Sequence, residues 1–256
     1  MTNVIAEGCT MSYLDMREME ISNTTLSLIK EASDLNLTRA RLTNTNIVAS
    51  TLISTKFHRA ELRKVQFLDT ILQGCQFDGA SVIETSFSNF NLTSCSFTRA
   101  VLSDVNLNDA NLEGVSLSQA RLTKCKLERA SLKRAVTNYA DLTGAILRGA
   151  DLSNAQLNGT CFDGADLRET KLHNSDLSGC DFSNANMSKC ELVDNIMDKT
   201  SFNKADLSSA SIKGADLSGT IGLPTATLKG ASFEGVGVSL VTRLKLKWAG
   251  AVIDIY

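Results

Sequence analysis

Histidines, serines and carboxylates are the residues of this chain whose types could support catalysis. A serine nucleophile needs a neighbouring base, and the only histidines among the 256 residues are His58 and His173. The sequence predicts a rod of stacked coils with several faces, and in it the two histidines lie on different faces and more than five coils apart. That separation is roughly 27 Å along the axis of the rod. They cannot serve one catalytic centre or one metal ion. The sequence therefore predicts no catalytic residue and no metal site.

The seven cysteines invite a disulfide or zinc interpretation. No C-x-x-C pair with metal-ligand spacing occurs, and six cysteines occupy a repeat position where alanine is usual. Because a buried free cysteine behaves as a small hydrophobic residue, we expect these six to point inward: Cys9, Cys75, Cys95, Cys125, Cys180 and Cys190. Cys161 falls at an outward position and is the candidate reactive thiol.

Carboxylates offer no catalytic arrangement either. The chain has no glycine-rich phosphate loop and no carboxylate pair in an evident cleft, so we expect neither enzyme activity nor a cofactor. Outward acidic residues are frequent in the second half, where they are the candidate partner-binding residues: Asp141, Asp151, Asp166, Asp176, Asp181, Glu191, Asp206 and Asp216.

The element that must position these residues repeats every five residues. From Leu37 to Leu217 every fifth residue is apolar except Thr137, and the residue two before each is usually small. An α-helix would rotate successive apolar residues by ~140° and smear them around its axis, while a flat strand would alternate them between faces. A period of five therefore fits neither ordinary element.

A short extended segment followed by a corner satisfies the pattern. The small and the large residue, two apart, then point to one side, and the residue between them points out. Four corners close a square coil of twenty residues, and stacked coils bury a continuous ladder of Leu and Phe. The sequence predicts an all-β solenoid.

Individual repeats carry a family resemblance. Ala-Asp-Leu-Ser-Asn at 150–154, Ala-Asp-Leu-Arg-Glu at 165–169 and Ala-Asp-Leu-Ser-Gly at 215–219 resemble the pentapeptide-repeat consensus A-(D/N)-L-x-x. The resemblance covers about 180 of the 256 residues. It implies a right-handed quadrilateral β-helix, often dimeric and often ended by helical caps, and it implies no single activity.

Changes of register divide the chain. Residues 1–36 hold an N-terminal cap and an offset coil centred on Met11, Met16, Ile21 and Leu26, followed by one extra residue within 27–36. Residues 37–220 form the regular β-helix. Residues 221–256 hold a final coil, with Leu228, Phe233 and Val238 as centres and Pro224 at the junction, and a C-terminal capping and dimerisation element.

Two patterns support a twenty-residue coil. Phe57, Phe77 and Phe97 are twenty residues apart, which would let their rings stack on neighbouring coils. Outward charges twenty apart are of opposite sign ten times and of like sign three times. Since opposite charges on neighbouring strands attract, this ratio favours the same register.

Irregular positions inside the repeat are few. Thr137 and Asn195 put polar groups where the interior is expected, so we expect both side chains to bond neighbouring backbone. Phe90 stands at a small-residue position. Beside Thr137, Tyr139 at the following corner marks either a tolerated local bulge or a surface notch that a partner could grip.

The C-terminal segment is more apolar than a cap requires. It fits either a strand or a helix, either of which would cover the open end of the core, and it is the candidate homodimerisation element through Leu244, Leu246, Trp248, Val252, Ile253, Ile255 and Tyr256.

Binding is the functional class that remains. The net charge of −2 predicts no direct nucleic-acid contact, although residues 39–134 carry thirteen basic and eight acidic residues and 141–220 carry seven and twelve. The first hypothesis is a rigid protein-interaction scaffold, including a bacterial effector or regulator. The alternative is a DNA mimic that binds gyrase, similar to the quinolone-resistance pentapeptide proteins.

The sequence shows no pattern typical of a targeting signal. The first residues lack a basic segment followed by an apolar run, and no stretch of about eighteen apolar residues exists. We expect a reducing, cytoplasmic location and no membrane partner. Secretion that needs no signal peptide is also compatible with the sequence.

Overall fold

The protein is an all-β solenoid of stacked square coils. The computed structural model describes residues 1–29, 32–237 and 251–254. Each outward residue forms a parallel bridge with the residue one coil further on, as in Lys56 with Gln76 and Asp141 with Cys161. The predicted twenty-residue coil is confirmed.

The strands of the described residues are two or three residues long, because each corner interrupts the extended backbone. In chain order they are β1 Ile5–Glu7, β2 Glu20–Ser22, β3 Thr25–Ser27, β4 Ala32–Ser33, β5 Arg41–Thr43, β6 Asn46–Val48, β7 Thr51–Ile53, β8 Glu61–Arg63, β9 Gln66–Leu68, β10 Ile71–Gln73, β11 Ser81–Ile83, β12 Val101–Ser103, β13 Glu191–Val193, β14 Ser211–Lys213, β15 Ser232–Glu234 and β16 Val252–Asp254. All pairs are parallel, and β12-β11-β8-β5-β2 is the longest run.

Corners are made by backbone in the left-handed region. The second residue after a core residue usually has a positive φ, for example Arg39 at 58° and Asn154 at 60°. Its N–H donates to a carbonyl of the next coil, as Arg39 N does to His58 O at 2.9 Å. This ladder offsets the steric cost of a side chain at positive φ.

Every fifth side chain fills one continuous core. Leu42, Leu112 and Leu172 are fully buried, and so are small residues such as Ala40 and Ala110. Phenylalanines form columns inside this core. The Phe57 and Phe77 rings stack with centroids 4.7 Å apart, and Phe77 and Phe97 follow at 4.8 Å. The predicted ring stacking is confirmed.

Two insertions shift the register, both where the sequence predicts them. The first lies between Ile29 and Ala32, because Ile29 occupies a small-residue position and Ala32 pairs with the core residue Leu52. Pairing across it is offset by twenty-one residues, as in Leu26 with Ile47. The second lies at the 3-10 turn Leu223–Thr225, after which Phe233 pairs with Ile212.

Two interior predictions are corrected and one is confirmed. Cys9 is exposed rather than inward-facing, because it belongs to the terminal coil at the open end of the core. The Thr137 hydroxyl bonds the Thr160 hydroxyl at 3.0 Å rather than backbone, since Thr160 itself donates to the Thr137 carbonyl at 2.8 Å. Asn195 does bond backbone, accepting from Ser175 N at 2.8 Å.

The C-terminal element is described in part. Strand β16 pairs with β15, placing Ile253 beside Phe233 in the register. Val252 is 61% exposed. Of the candidate dimerisation residues, Leu244, Leu246, Trp248, Ile255 and Tyr256 lie outside the described residues, as does the expected core residue Val238.

Candidate interaction surface

The square coil gives the rod four flat faces. We number them by their core residues: face 1 contains Leu42 and Leu62, face 2 Ile47 and Phe67, face 3 Leu52 and Leu72, and face 4 Phe57 and Phe77, each continuing in steps of twenty. Each coil presents three outward residues on a face, namely the two that flank the core residue and the corner residue after them.

The eight candidate partner-binding acids are spread over all four faces. Residues two coils apart share a face, so the structure brings them together only in pairs: Asp141 and Asp181 on face 1, Asp166 and Asp206 on face 2, Asp151 and Glu191 on face 3, and Asp176 and Asp216 on face 4. Members of a pair are therefore about 9.6 Å apart along the axis. They form no single acidic row.

Most of these carboxylates also have a local structural role. Seven of the eight accept a hydrogen bond from the backbone N–H two residues later, at 2.9 to 3.3 Å: Asp141, Asp151, Asp166, Asp176, Asp181, Asp206 and Asp216. The eighth, Glu191, contacts His173 Nε2 at 2.8 Å. A side chain that fixes its own turn in this way is less available to a partner.

Three of these carboxyls have a pKa below the usual value. Burial raises the pKa of Asp151, but hydrogen bonds from Ser153 and Lys133 outweigh it. Hydrogen bonding to the charged form lowers the pKa of Asp166 and Asp216. The guanidinium of Arg168 holds the pKa of Asp166 below its usual value, with Nε donating to Oδ1 at 2.7 Å. The Ser218 N–H does the same for the pKa of Asp216. Both groups are therefore ionised throughout the neutral range.

Tyr139 stands out from face 4 as the candidate notch residue. It is 66% exposed, and its ring lies over Gly159 in the next coil. A β-carbon on Gly159 would lie 2.7 Å from two of the ring carbons. The ring is thus an ordered projection above a glycine rather than a cavity.

An apolar corner between faces 2 and 3 was missed at the sequence level. Leu68 is 47% and Ile71 58% exposed on the same coil, and Leu28 and Val48 continue the surface toward the N-terminus. We call Leu28, Val48, Leu68, Ile71 and Phe90 the apolar corner. The signal for it was available, because these are apolar residues at outward or small-residue positions.

A groove of ≈ 310 Å³ opens at this corner beside Phe90. Phe90 is too large for its small-residue position, so its ring is only partly buried and packs edge-on against Phe67 and Phe87, with centroids 6.4 and 6.1 Å away. Asp69, Asn89 and Asn91 give the groove a polar rim. The groove can take an apolar side chain and hydrogen-bond the backbone beside it.

Face 4 carries a second surface that sequence reasoning missed. Arg39, Arg59 and Arg99 share one corner column with Gly79, lining a groove of ≈ 420 Å³ together with His58. The like charges Arg39 and Arg59, twenty residues apart, were the available signal. The charges reverse toward the other end of the face, at Asp176, Asp198 and Asp216.

Thiols and imidazoles form no centre in the described part of the chain. Cys75, Cys95, Cys125, Cys180 and Cys190 are buried as predicted, and Cys161 is partly exposed. His58 lies on face 4, 3.6 Å from Asp78, while His173 lies on face 3. Among the described residues, no group of three or more potential ligands could hold a metal ion.

A membrane-spanning helix would have to be long and apolar. Within residues 1–29, 32–237 and 251–254, no helix has the length and apolarity needed to cross a bilayer.

Known protein families match the chain along its repeat. The profile for pentapeptide repeats matches in eight copies, with matched segments at 125–164, 138–174, 160–196 and 185–221, and the profile for the pentapeptide repeat region matches 45–122. Together they cover most of the chain. No curated protein matches the sequence.

Solved structures with the same type of fold match most of the chain at low sequence identity. HetL, a pentapeptide repeat protein involved in heterocyst differentiation regulation from the cyanobacterium Nostoc, is 24% identical over 86% of this chain and 87% of its own, with a TM-score of 0.35. QnrB1, a plasmid-mediated fluoroquinolone resistance protein, is 17% identical over 93% of this chain and 99% of its own, with a TM-score of 0.45.

Proposed function

Because this chain belongs to the pentapeptide-repeat family, we propose that it is a non-enzymatic, rigid scaffold that binds another protein through the apolar corner. Acting as a regulator or effector, it would hold that protein rather than transform it. The observation that carries the proposal is the exposure of Leu68 and Ile71 beside a groove that contains Phe90. Contiguous exposed apolar surface with a polar rim is typical of protein-binding sites.

The chemistry of the groove indicates what the bound segment contains. Phe90 and Ile71 favour an inserted apolar or aromatic side chain. Asp69 is exposed and forms no ion pair with a described residue, which favours a lysine or arginine next to that side chain. Asn89 and Asn91 can bond the backbone of an extended segment. We therefore infer a partner segment with an apolar residue beside a basic one.

Site-specific photo-crosslinking tests the proposal. A photoreactive phenylalanine analogue at position 71 should capture one protein in the cell of origin, whereas the same analogue at position 221 should not. Ile221 is a matched control, being 51% exposed but distant from the groove, on face 1. Identical capture patterns from the two positions would overturn the proposal.

Affinity measurements with the captured protein complete the test. Leu68→Ser with Ile71→Ser should weaken binding at least tenfold, because two anchor side chains typically contribute more than about 1.4 kcal/mol together. Ile221→Ser should leave the affinity unchanged. Unchanged binding by the double variant would show that the captured protein contacts another surface.

A further inference from the structure

We propose that face 4 is a self-association surface, through which two copies of this chain pair side by side with their rods antiparallel. The proposal goes beyond the scaffold function and does not depend on it, because face 4 lies away from the apolar corner between faces 2 and 3. It rests on the distribution of charge along one flat face, on the symmetry of that distribution, and on a tyrosine near its centre.

The end of face 4 nearer the N-terminus is basic. Lys56, Arg59 and Arg99 project from it, and neither Lys56 nor Arg59 forms an ion pair with a described residue. Arg99 Nε donates to the neutral amide of Gln119 at 2.9 Å. Asp78 opposes them, but its carboxylate already accepts from Ser96 Oγ and from Thr98 N, and Glu18 on the terminal coil of this face pairs with Arg39 at 3.2 Å. The charges of Lys56, Arg59 and Arg99 are therefore not compensated by an ion pair with a described residue.

The opposite end of the face is acidic. Asp176, Asp198 and Asp216 project there, and the Asp198 side chain is 64% exposed. Lys199 is the basic residue at this acidic end of face 4 among the described residues. Its ammonium lies 3.8 Å from Asp198 and its side chain is 80% exposed, so it can turn away from an approaching arginine.

A two-fold axis brings the basic end of face 4 in one copy opposite the acidic end of face 4 in the other. The corner column runs in steps of twenty from Arg39 to Gly219, so its midpoint lies between Gln119 and Tyr139. An axis there, lying in the plane of the interface and perpendicular to the rod, places the coil of Arg59 opposite the coil that holds Asp198 and Lys199 in the second copy. Lys56 then falls between Asp176 and Asp216. Each contact occurs twice, as an isologous interface requires.

The middle of the face is uncharged and holds a rigid aromatic side chain. Tyr139, 66% exposed and ordered by its contact with Gly159, lies next to the axis and meets Gln119 of the second copy. Asn138 Oδ1 has no hydrogen-bond partner among the described residues. A rotation of this amide would present it to the Ser118 hydroxyl of the second copy.

The size of the face fits a weak and salt-sensitive dimer. Ten coils extend for about 45 Å, and a face about 12 Å wide gives roughly 1,000 Å² buried in total, the lower limit for a specific interface. Since the charges lie on exposed side chains, screening should weaken the dimer. An association through the C-terminal element would not depend on Arg59, which lies near the other end of the rod.

Charge reversal with a mixing experiment tests the arrangement. Sedimentation velocity at about 100 µM protein and about 50 mM salt should show a dimer that dissociates at about 500 mM salt. Arg59→Glu alone and Asp198→Lys alone should each weaken dimerisation at least tenfold, because each reversal creates two repulsive contacts. A one-to-one mixture of the two variants should restore it as a heterodimer, in which the two substituted side chains face each other at one contact and the unchanged Asp198 and Arg59 face each other at the other.

Matched controls keep the test decisive. Lys189→Glu and Glu169→Lys are reversals of exposed residues on the opposite face 2 and should leave the dimer intact. Circular dichroism melting should show that all four variants fold. A wild-type protein that is monomeric at low salt, a dimer that survives both face 4 reversals, or a mixture of folded variants that stays monomeric would each overturn the proposal.

Discussion

The ring of Tyr139 rests on Gly159, one coil further along the rod. A β-carbon on Gly159 would lie 2.7 Å from two carbons of that ring, closer than real side chains approach one another. Gly159 also has a φ of +66°, in the left-handed region that glycine occupies without steric cost. The glycine therefore serves two purposes: it makes its corner and it gives the tyrosine a surface on which to lie.

Gly159→Ala should destabilise the protein more than an equivalent change elsewhere. Gly164, with a φ of +63° and no atom within 4 Å of its β-carbon position, is the matched control. We expect Gly164→Ala to lower the free energy of unfolding by about 1 kcal/mol and Gly159→Ala by about 2 kcal/mol, measured by urea denaturation. With Tyr139→Ala as background, the two glycine changes should cost the same. An equal cost in the wild-type background would show that the ring contact is not maintained in solution.

Phe77 should be the most sensitive of the core phenylalanines. Its ring stacks on Phe57 and Phe97 with centroids 4.7 and 4.8 Å away, and it meets Phe87 edge-on. Phe77→Ala should lower the free energy of unfolding by about 3 to 5 kcal/mol, because it leaves a cavity inside a column of rings. Phe77→Leu should cost about 1 to 2 kcal/mol.

A comparison with another column isolates the stacking contribution. Phe202, at the end of its column, stacks on Phe182 at 5.6 Å. Phe202→Leu should therefore cost less than Phe77→Leu. If the two leucine variants were equally stable, ring stacking would add nothing to the burial of apolar area.

The five-residue period was sufficient to predict the fold, because each small-x-large unit determines where its side chains point. The register shifts near Ile29 and at Pro224 followed from the same count. Cys9 was misplaced because a periodic pattern does not show where the stack of coils ends. The partner of Thr137 was missed because Thr160 lies on the far side of a corner, twenty-three residues away.

The surface was less predictable than the core. Leu68 and Ile71 lie on adjacent faces, so the five-residue period alone does not show that they form one patch. The position of an acidic residue along the chain likewise does not show its surface, because a residue and its neighbour five positions later face in different directions. A surface on a square rod is defined by residues twenty apart, and faces must be assigned before charges are compared.

Thiol labelling should separate the cysteines into two groups. Cys9 is exposed and Cys161 partly exposed, while burial raises the pKa of Cys125 to about 11 and that of Cys180 and Cys190 further. Because the thiolate is the reacting form, a thiol reagent at pH 8 should modify Cys9 and Cys161 in the native protein and all seven cysteines in urea. Rapid labelling of Cys125 in the folded state, identified by mass spectrometry, would contradict its burial.

The turn-forming carboxylates should make stability depend on acid. Arg168 and the Ser218 N–H lower the pKa of Asp166 and Asp216 below the unfolded value near 3.8. A carboxyl with a lowered folded pKa contributes stability that is present above the unfolded pKa and is lost as the pH falls through the folded pKa. The urea concentration at the unfolding midpoint should therefore decrease as the pH falls below about 4. For the double variant Asp166→Asn with Asp216→Asn, this decrease should be less steep. Parallel pH profiles for the two proteins would contradict the assignment.

Substitutions of Asp206 separate the contribution of its turn hydrogen bond to stability from the contribution of its charge. Its Oδ1 accepts from Ser208 N at 2.9 Å. Asp206→Ala should lower the free energy of unfolding by about 0.5 to 1.5 kcal/mol, the usual contribution of one hydrogen bond. Asp206→Asn keeps an acceptor oxygen at the same place and should cost less than half as much, as measured in urea at neutral pH.

Gyrase supercoiling is the assay that distinguishes a scaffold from a DNA mimic. Mimicry needs carboxylates spaced like phosphates along one surface, whereas Asp166 and Asp206 share face 2 about two coils apart and Asp176 and Asp216 lie on the opposite face 4. Arg168 moreover neutralises Asp166 locally. We therefore expect no inhibition of supercoiling by micromolar protein and no protection of gyrase against a quinolone. Inhibition that disappeared with Asp166→Lys and Asp206→Lys, but persisted with Asp176→Lys and Asp216→Lys, would instead identify face 2 as a gyrase-binding surface.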